Sequence, residues 1–207
     1  MIALIDYGAG NLTSVRKALS AVGAAFFTPA TPADLLSADG IIIPGVGHFG
    51  ATRALDESWR FAIVSAVDSQ VPLLGICLGL QYLFEGSDEA PDAPGLGILD
   101  GRCSLLPPTM KVPHVGWNAL EIRRPSKILD GVNEGTQVYF THSYAAPVTT
   151  ACVAAATHSA SFAAAVEAGG VSGVQFHPEK SSDAGLRVLR NFLQITRVSN
   201  QRASEIS

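Results

Sequence analysis

The sequence has little charge. Asp, Glu, Lys and Arg make up 15% of its 207 residues, against about a quarter in ordinary soluble domains, while hydrophobic residues reach 47%. So small a charged share predicts a buried sheet with little solvent-facing strand surface, and a surface partly covered by another subunit. Cysteine is scarce too. Cys77, Cys103 and Cys152 form no CxxC pair and no disulfide framework, which excludes a disulfide-stapled fold and predicts reduced thiols in a cytoplasmic protein. Basic runs are short: Arg123-Arg124 is the longest, and the net charge is −4. That excludes a phosphate-backbone footprint, so nucleic acid is not an expected partner. No stretch approaches the roughly 18 apolar residues of a membrane helix. Asp6 interrupts the first apolar stretch and no basic leader precedes it, which argues against a secretory signal. Cys103, Cys152, His48 and His158 read as structural or surface residues, none at metal-ligand spacing to another, so neither a metal nor a cofactor is expected.

What is present reads as one compact α/β domain over residues 1–197, followed by a polar tail, 198–207, expected to fray. The first half alternates short apolar runs with helical periodicity. Residues 2–6 form a buried-strand run, and Leu12, Val15, Leu19 and Val22 recur at helical spacing after the glycine-rich turn Tyr7 to Gly10. A strand around Ala24 to Thr28 follows, then Thr31 as a helix cap before Pro32. Ile41 to Ile43 is a β-branched run cut off by Pro44. A helical stretch from Ala51 to Val67 leads into the apolar run 71–76 and the helix start Leu78 to Phe84. Strand and helix in alternation imply parallel βαβ units. Residues 86–97, rich in Gly, Pro and Asp, read as a surface loop. Short strands are predicted at Ile98–Leu106, Ala119–Ile122, Gln137–Thr141, Ala151–Ala156, Phe162–Val166 and Val171–Phe176, as antiparallel additions to a mostly parallel central sheet with flanking helices. A last helix, capped by Ser181 or Ser182, would turn Leu186, Leu189, Phe192 and Leu193 to the core.

Three short patterns carry chemistry. Gly75-Ile76-Cys77-Leu78-Gly79 follows an apolar strand and opens an apolar helix, the setting of a nucleophile elbow with cysteine in place of serine. The sharp turn would lift the sulfur above the carboxyl edge of the sheet, near a helix N-terminus that favours thiolate. A small buried cysteine between two packing glycines fits that pentapeptide equally well. Gln175-Phe176-His177-Pro178-Glu179 ends another apolar strand. There His177 could take the thiol proton and Glu179 could orient the ring, although a His-x-Glu pair alone is more often a solvated strand end. Two strand ends on one edge of a parallel sheet share a crevice, and this strengthens both. Pro44-Gly45-Val46-Gly47 could present backbone N–H donors to an oxyanion together with the Leu78 amide. It lacks the Lys and Ser/Thr of a phosphate-binding loop.

The elbow, the PGVG strand end and the HPE triplet, in this order and across nearly the whole chain, resemble the class I (triad) glutamine amidotransferases, whose fold is flavodoxin-like. DYGAGNLTS at 6–14, KVPHVGWN at 111–118 and FHPEKS at 176–181 narrow the resemblance to the glutaminase subunits of imidazole glycerol phosphate synthase, in histidine biosynthesis. The resemblance implies Cys77 as nucleophile, His177 as general base and acid, and Glu179 as its orienter. Val46 and Leu78 would supply oxyanion amides, with the Gly45-Val46 peptide turning first. Gly47, Gln81, Ser143 and Tyr144 would hold the amino-acid end of glutamine, and Gln81 lies one helical turn beyond Cys77 on the same face. Asn11, Pro113, His114, Trp117, Asn118 and Lys180 would face a (β/α)8-barrel cyclase subunit, giving a heterodimer. By the same resemblance, glutaminase activity stays nearly silent until the partner's site is occupied. Other readings are the glutaminase of pyridoxal phosphate synthase, against which the DYGAGN and PHVGWN stretches speak, and a stand-alone cysteine hydrolase of peptides or esters. A binding module that has kept only the fold is a further class, which intact Cys77, His177 and Glu179 disfavour.

Overall fold

The computed structural model describes residues 1–206, with side chains described through Ser199 and at Gln201. In chain order the elements are β1 (Ile2–Leu4), α1 (Leu12–Ala21), β2 (Phe26–Phe27), β3 (Gly40–Ile43), α2 (Glu57–Asp68), β4 (Leu73–Ile76), α3 (Leu78–Leu83), β5 (Gly86–Ser87), β6 (Arg102–Leu105), β7 (His114–Ala119), β8 (Glu121–Ile122), β9 (Gln137–His142), β10 (Tyr144–Ala145), β11 (Cys152–His158), β12 (Ala160–Ala168), β13 (Val171–Val174) and α4 (Ser182–Ile206). Eight strands form the central sheet in the order β2-β1-β3-β4-β13-β12-β11-β8. From β2 to β13 neighbours run parallel; β12, β11 and β8 extend that sheet antiparallel. Two small sheets, β10-β6-β5 and β7-β9, stand apart.

The parallel strands are apolar at nearly every position, Ser172 of β13 being the polar exception, because both faces of the sheet are covered. On β3, Ile42 packs toward Val15 and Leu19 of α1 and Leu189 and Phe192 of α4. Ile41 and Ile43 pack on the other side with Ile63 of α2 and Leu80 and Leu83 of α3. β11 and β12 are built largely of alanine, and Ala154, Ala155, Ala156, Ala163, Ala164 and Ala165 are fully buried. A good helix former stays in strands here because its small side chain lets covering layers approach from both sides, so packing outweighs propensity. Ser159 turns this hairpin at a φ of 58°.

Five expectations need correction. The Ala51–Val67 stretch is a 3-10 turn, Phe49–Ala54, followed by α2. The break falls at Asp56, whose carboxylate accepts the amides of Ser58 and Trp59 at 3.0 and 3.2 Å and so starts a new helix. Residues 86–97 are only partly a surface loop: Asp88, Pro91, Asp92 and Pro94 are exposed, while Ser87, Ala90, Ala93 and Leu96 are buried. The amides of Leu96, Gly97 and Ile98 donate to the carbonyls of Tyr82, Phe84 and Leu83, satisfying groups that the short α3 would leave open at its end. For the same reason the Ile98–Leu106 strand begins only at Arg102. The backbone of 198–206 continues α4 rather than fraying, while Ser207 lies outside the described residues. The segment around Gly116, where no strand was predicted, is β7, paired with β9 from His114↔His142 to Ala119↔Gln137.

Among the described residues no helix is long and apolar enough to cross a membrane.

Candidate active site

β4 and β13 lie side by side in parallel register, with Val174 opposite Ile76. The residues that follow them, Cys77 on one and Gln175 to His177 on the other, therefore leave the sheet at the same carboxyl edge. Cys77 takes φ 52° and ψ −104°, a positive-φ conformation that costs a non-glycine residue about 1–3 kcal/mol and persists only where surroundings fix it. Its amide donates to Val174 O at 2.8 Å. The flanking glycines are dictated by backbone contact. A Cβ on Gly75 would lie 2.5 Å from Gly79 O, and one on Gly79 only 1.8 Å from Ile43 O. The predicted elbow is present, and it is wedged between β3 and the first turn of α3.

His177 is equally fixed. Its amide donates to Tyr139 O at 2.9 Å, and its carbonyl accepts from the Ser181 hydroxyl at 2.7 Å, which in turn accepts the Tyr139 amide at 3.0 Å. Its Nδ1 is 2.8 Å from Glu179 Oε1, with the two side chains 1% and 3% exposed. A buried carboxylate at Nδ1 holds the proton there and leaves Nε2 for chemistry. Among the described residues Nε2 has no hydrogen-bond partner, and the titrating group acting on the ring besides Glu179 is Cys77. Burial by itself would push the imidazole down. The Cys77 thiol and the Glu179 carboxylate outweigh it and raise His177 from 6.5 to about 9. Gly185 lets α4 close over this segment, since a Cβ there would sit 1.9 Å from Pro178 O.

A cavity of about 270 Å³ opens beside Cys77, lined by Gly47, Leu78, Gln81, Glu89, Ser143 and Tyr144, among others. All four residues expected to hold the amino-acid end of glutamine are in this lining. Gln81 Nε2 donates to Tyr144 O at 2.8 Å. Glu89 was not anticipated. It reaches the cavity from the 86–97 segment, and its Oε2 accepts the Phe49 amide at 2.6 Å. The segment's Gly, Pro and Asp content marks solvent-facing chain, while Ala90 and Ala93, spaced three apart, turn inward.

The amides expected to serve as oxyanion donors are in a different state. The Leu78 amide donates to Gly45 O at 3.3 Å, so one expected donor is occupied by the very peptide that should supply the other. The Val46 amide makes no hydrogen bond among the described residues. Gly45 is pinned at its α-carbon, where a Cβ would meet Tyr7 Oη at 2.2 Å and Leu78 Cβ at 2.8 Å. The Tyr7 hydroxyl is itself buried without a partner among the described residues, and burial first, then the nearby Cys77 and Tyr82, push its phenol far up.

Of the residues expected at a partner surface, Asn11, Pro113, Trp117 and Lys180 are exposed and Asn118 is half-buried. His114 is corrected: it is 4% exposed, its ring stacked on Phe140 at 5.0 Å between centroids. Tyr139 was missed. It packs edge-on against Trp117 with centroids 6.1 Å apart, and Lys180 Nζ sits 5.6 Å from its ring centre. Alternation on β9, with Val138, Phe140 and His142 inward and Tyr139 outward, was the available signal. Trp117 and Lys180 are exposed and Tyr139 half-buried, and the Tyr139 carbonyl is the one that accepts the His177 amide.

The glutamine amidotransferase class-I family model matches residues 3–195. The imidazole glycerol phosphate synthase subunit HisH of Methanothermobacter thermautotrophicus is 44% identical over 198 residues, spanning 95% of this chain and all of that one. The chain belongs to the class-I glutamine amidotransferases, among the HisH subunits. Within that family, the HisH protein of Bacillus cereus is 40% identical over the full length of both chains. Solved structures share the amidotransferase fold at lower identity. One glutamine amidotransferase superposes with a TM-score of 0.75 at 18% identity, covering 95% of this chain and 98% of that one. PurLQS from Thermotoga maritima reaches 0.72 at 18% identity, covering 93% of this chain and 97% of that chain.

Proposed function

We propose that residues 1–197 form one amidotransferase domain that hydrolyses glutamine to glutamate and ammonia. The ammonia passes to a (β/α)8-barrel cyclase subunit that makes imidazole glycerol phosphate and aminoimidazole carboxamide ribotide in the cytoplasm. The observation that carries this is the row Cys77, His177, Glu179 at one sheet edge beside a cavity lined by Gln81, Ser143 and Tyr144. Cys77 Sγ attacks the side-chain carboxamide carbon of glutamine, and His177, through Nε2, takes the thiol proton and delivers it to the departing nitrogen. Ammonia leaves and a glutamyl thioester remains. Water then attacks that thioester with His177 as base, releasing glutamate and restoring the thiol. Glu179 keeps Nε2 turned to the reaction and balances the imidazolium. Gly47, Gln81, Ser143 and Tyr144 hold the amino-acid end, and the Glu89 carboxylate suits the α-ammonium of the substrate.

The tetrahedral oxyanion needs the amides of Val46 and Leu78, so the Gly45-Val46 peptide turns its carbonyl away from Leu78 before the first step. A resting chain with that peptide unturned is slow, which suits a supplier of ammonia: at neutral pH free ammonia is mostly ammonium, and ammonium is no nucleophile. The partner docks on Asn11, Pro113, Trp117, Asn118 and Lys180, with Tyr139 added, and forms a heterodimer. Glutamate release, assayed for the wild type and Cys77→Ala with and without the cyclase and its nucleotide ligand, tests this. Release by the wild type, absent in the variant and strongest with the liganded partner, is expected. Ester or peptide turnover without glutamine hydrolysis contradicts the assignment.

A further inference from the structure

Three histidines lie together outside the Cys77–His177–Glu179 row. His114 and His142 are 4% and 7% exposed, His114 Nδ1 is 3.2 Å from His142 Nε2, and His158 stacks on His114 with centroids 4.1 Å apart. Among the described residues no three such side chains are placed to hold a metal ion. Their hydrogen bonds run in another direction, toward the cavity.

The order of donors follows from one carbonyl. Tyr144 O can only accept, so His142 Nδ1, 3.0 Å away, carries the proton between them. In a neutral ring Nε2 is then an acceptor, and His114 Nδ1 carries the proton in the His114–His142 bond. His114 Nε2 accepts in turn from Asn118 Nδ2 at 3.4 Å, whose other N–H goes to Thr157 O at 3.0 Å. On the inner side Tyr144 O also accepts from Gln81 Nε2, at 2.8 Å. The second N–H of that amide goes to Gln175 Oε1 at 3.2 Å, and Gln175 Nε2 ends 3.5 Å from Cys77 Sγ. One assignment of protons satisfies the whole row from β7 to the thiol. It requires two neutral rings, and both are held that way. Burial first, then a neighbouring histidine, brings His114 down to about 4 and His142 to about 3.

We propose that His142 is a positioning residue for the glutamine site. Its Nδ1–H fixes the Tyr144 carbonyl, and through it the Gln81 amide, while His114 ties that constraint to Asn118 on β7. A buried carbonyl that accepts two hydrogen bonds is held in plane and orientation, and losing one loosens the group that shares it. Both ends of the row that meet substrate, Gln81 and the Ser143–Tyr144 segment, hold the part of glutamine that does not react. Loss of the row therefore weakens ground state and transition state alike and raises KM more than it lowers kcat. Asn118 stands beside the exposed Trp117, so a neighbour pressing on β7 acts on the substrate cavity by a path separate from the Gly45-Val46 peptide.

This inference deepens the glutaminase assignment, and its kinetic arm rests on that assignment. The spectroscopic arm does not. Ring ¹⁵N–¹H correlation spectra of the full chain should show His142 and His114 both neutral and protonated at Nδ1. In the complex with the cyclase and its ligand, His142→Phe should raise KM for glutamine at least about tenfold with kcat within about threefold. His142→Asn, which keeps a donor at the Nδ1 position, should recover most of that loss. In Gln81→Ala, adding His142→Phe should change KM less than twofold, because the two act on one carbonyl. An Nε2-protonated His142, or an Asn variant no better than Phe with both folded by circular dichroism, overturns the proposal. If the ring spectra fit but wild-type chain releases no glutamate even with its partner, the glutaminase assignment fails instead.

Discussion

Cys77 and Gly45 leave neighbouring parallel strands, with Ile43 opposite Gly75 in the register just before them, yet the two ends are held differently. At the β4 end, glycine contacts, a positive φ and a hydrogen bond to β13 lock the thiol in place, and His177 and Glu179 are buried beside it. At the β3 end, the Gly45 carbonyl occupies the Leu78 amide and the Val46 amide has no partner among the described residues. On the proposed reading, the contrast lets a nucleophile stay assembled while turnover is withheld. Nucleophile geometry is a packing problem solved once, on folding. Oxyanion donors can wait on the orientation of a single peptide plane.

Perturbations of the two ends should differ in kind. Cys77→Ala should remove at least about 10⁴-fold of glutamate release with the partner bound, with its melting temperature close to that of the wild type. Glu179→Gln should lower kcat by roughly 10³- to 10⁴-fold, since the amide can stabilise the wrong tautomer. The same change should bring the His177 pKa below about 9, because burial then opposes the Cys77 thiol alone; ¹⁵N titration of the ring reads this. Val46→Pro, which deletes the waiting amide without breaking a resting hydrogen bond, should cost about 10²- to 10³-fold in kcat and little in urea stability. Gly79→Ala should do the reverse, failing to fold or losing about 3 kcal/mol or more, because its Cβ would strike Ile43 O at 1.8 Å. The smallest effect is on pH. His177 is raised on folding from 6.5 to about 9, so the stability it contributes is complete below 6.5 and is lost as pH rises through 9. Chemical denaturation of the wild type between those values should show stability falling as pH rises, and falling less steeply in Glu179→Gln.

How far these features could be seen beforehand varies with their physical range. The elbow and the HPE turn were legible because each is a local backbone solution: glycine where a Cβ would strike backbone, proline where a ladder stops. Parallel strands were legible from β-branched runs such as Ile41 to Ile43. That β4 and β13 are neighbours was not, because strand order depends on packing between residues far apart in the chain. Glu89 and the buried part of the 86–97 segment were hidden by a composition that usually marks solvent, although here small residues close the end of α3. His114 looked like a partner contact within a Gly/Pro-rich stretch. It is inward because β7 pairs with β9 and alternation turns it to Phe140. The C-terminal residues carried polar side chains that suggested fraying, yet their backbone continues α4 to Ile206.

The direct test of the two-ended account is to measure alkylation of Cys77 by iodoacetamide and glutamate release on the same samples, with and without the liganded cyclase. Alkylation needs the thiol and imidazole but no oxyanion hole, so its rate should change less than about threefold, while release rises at least about 10²-fold, the worth of one oxyanion donor. A parallel rise in both rates would mean that the partner assembles the nucleophile itself, and would contradict the account.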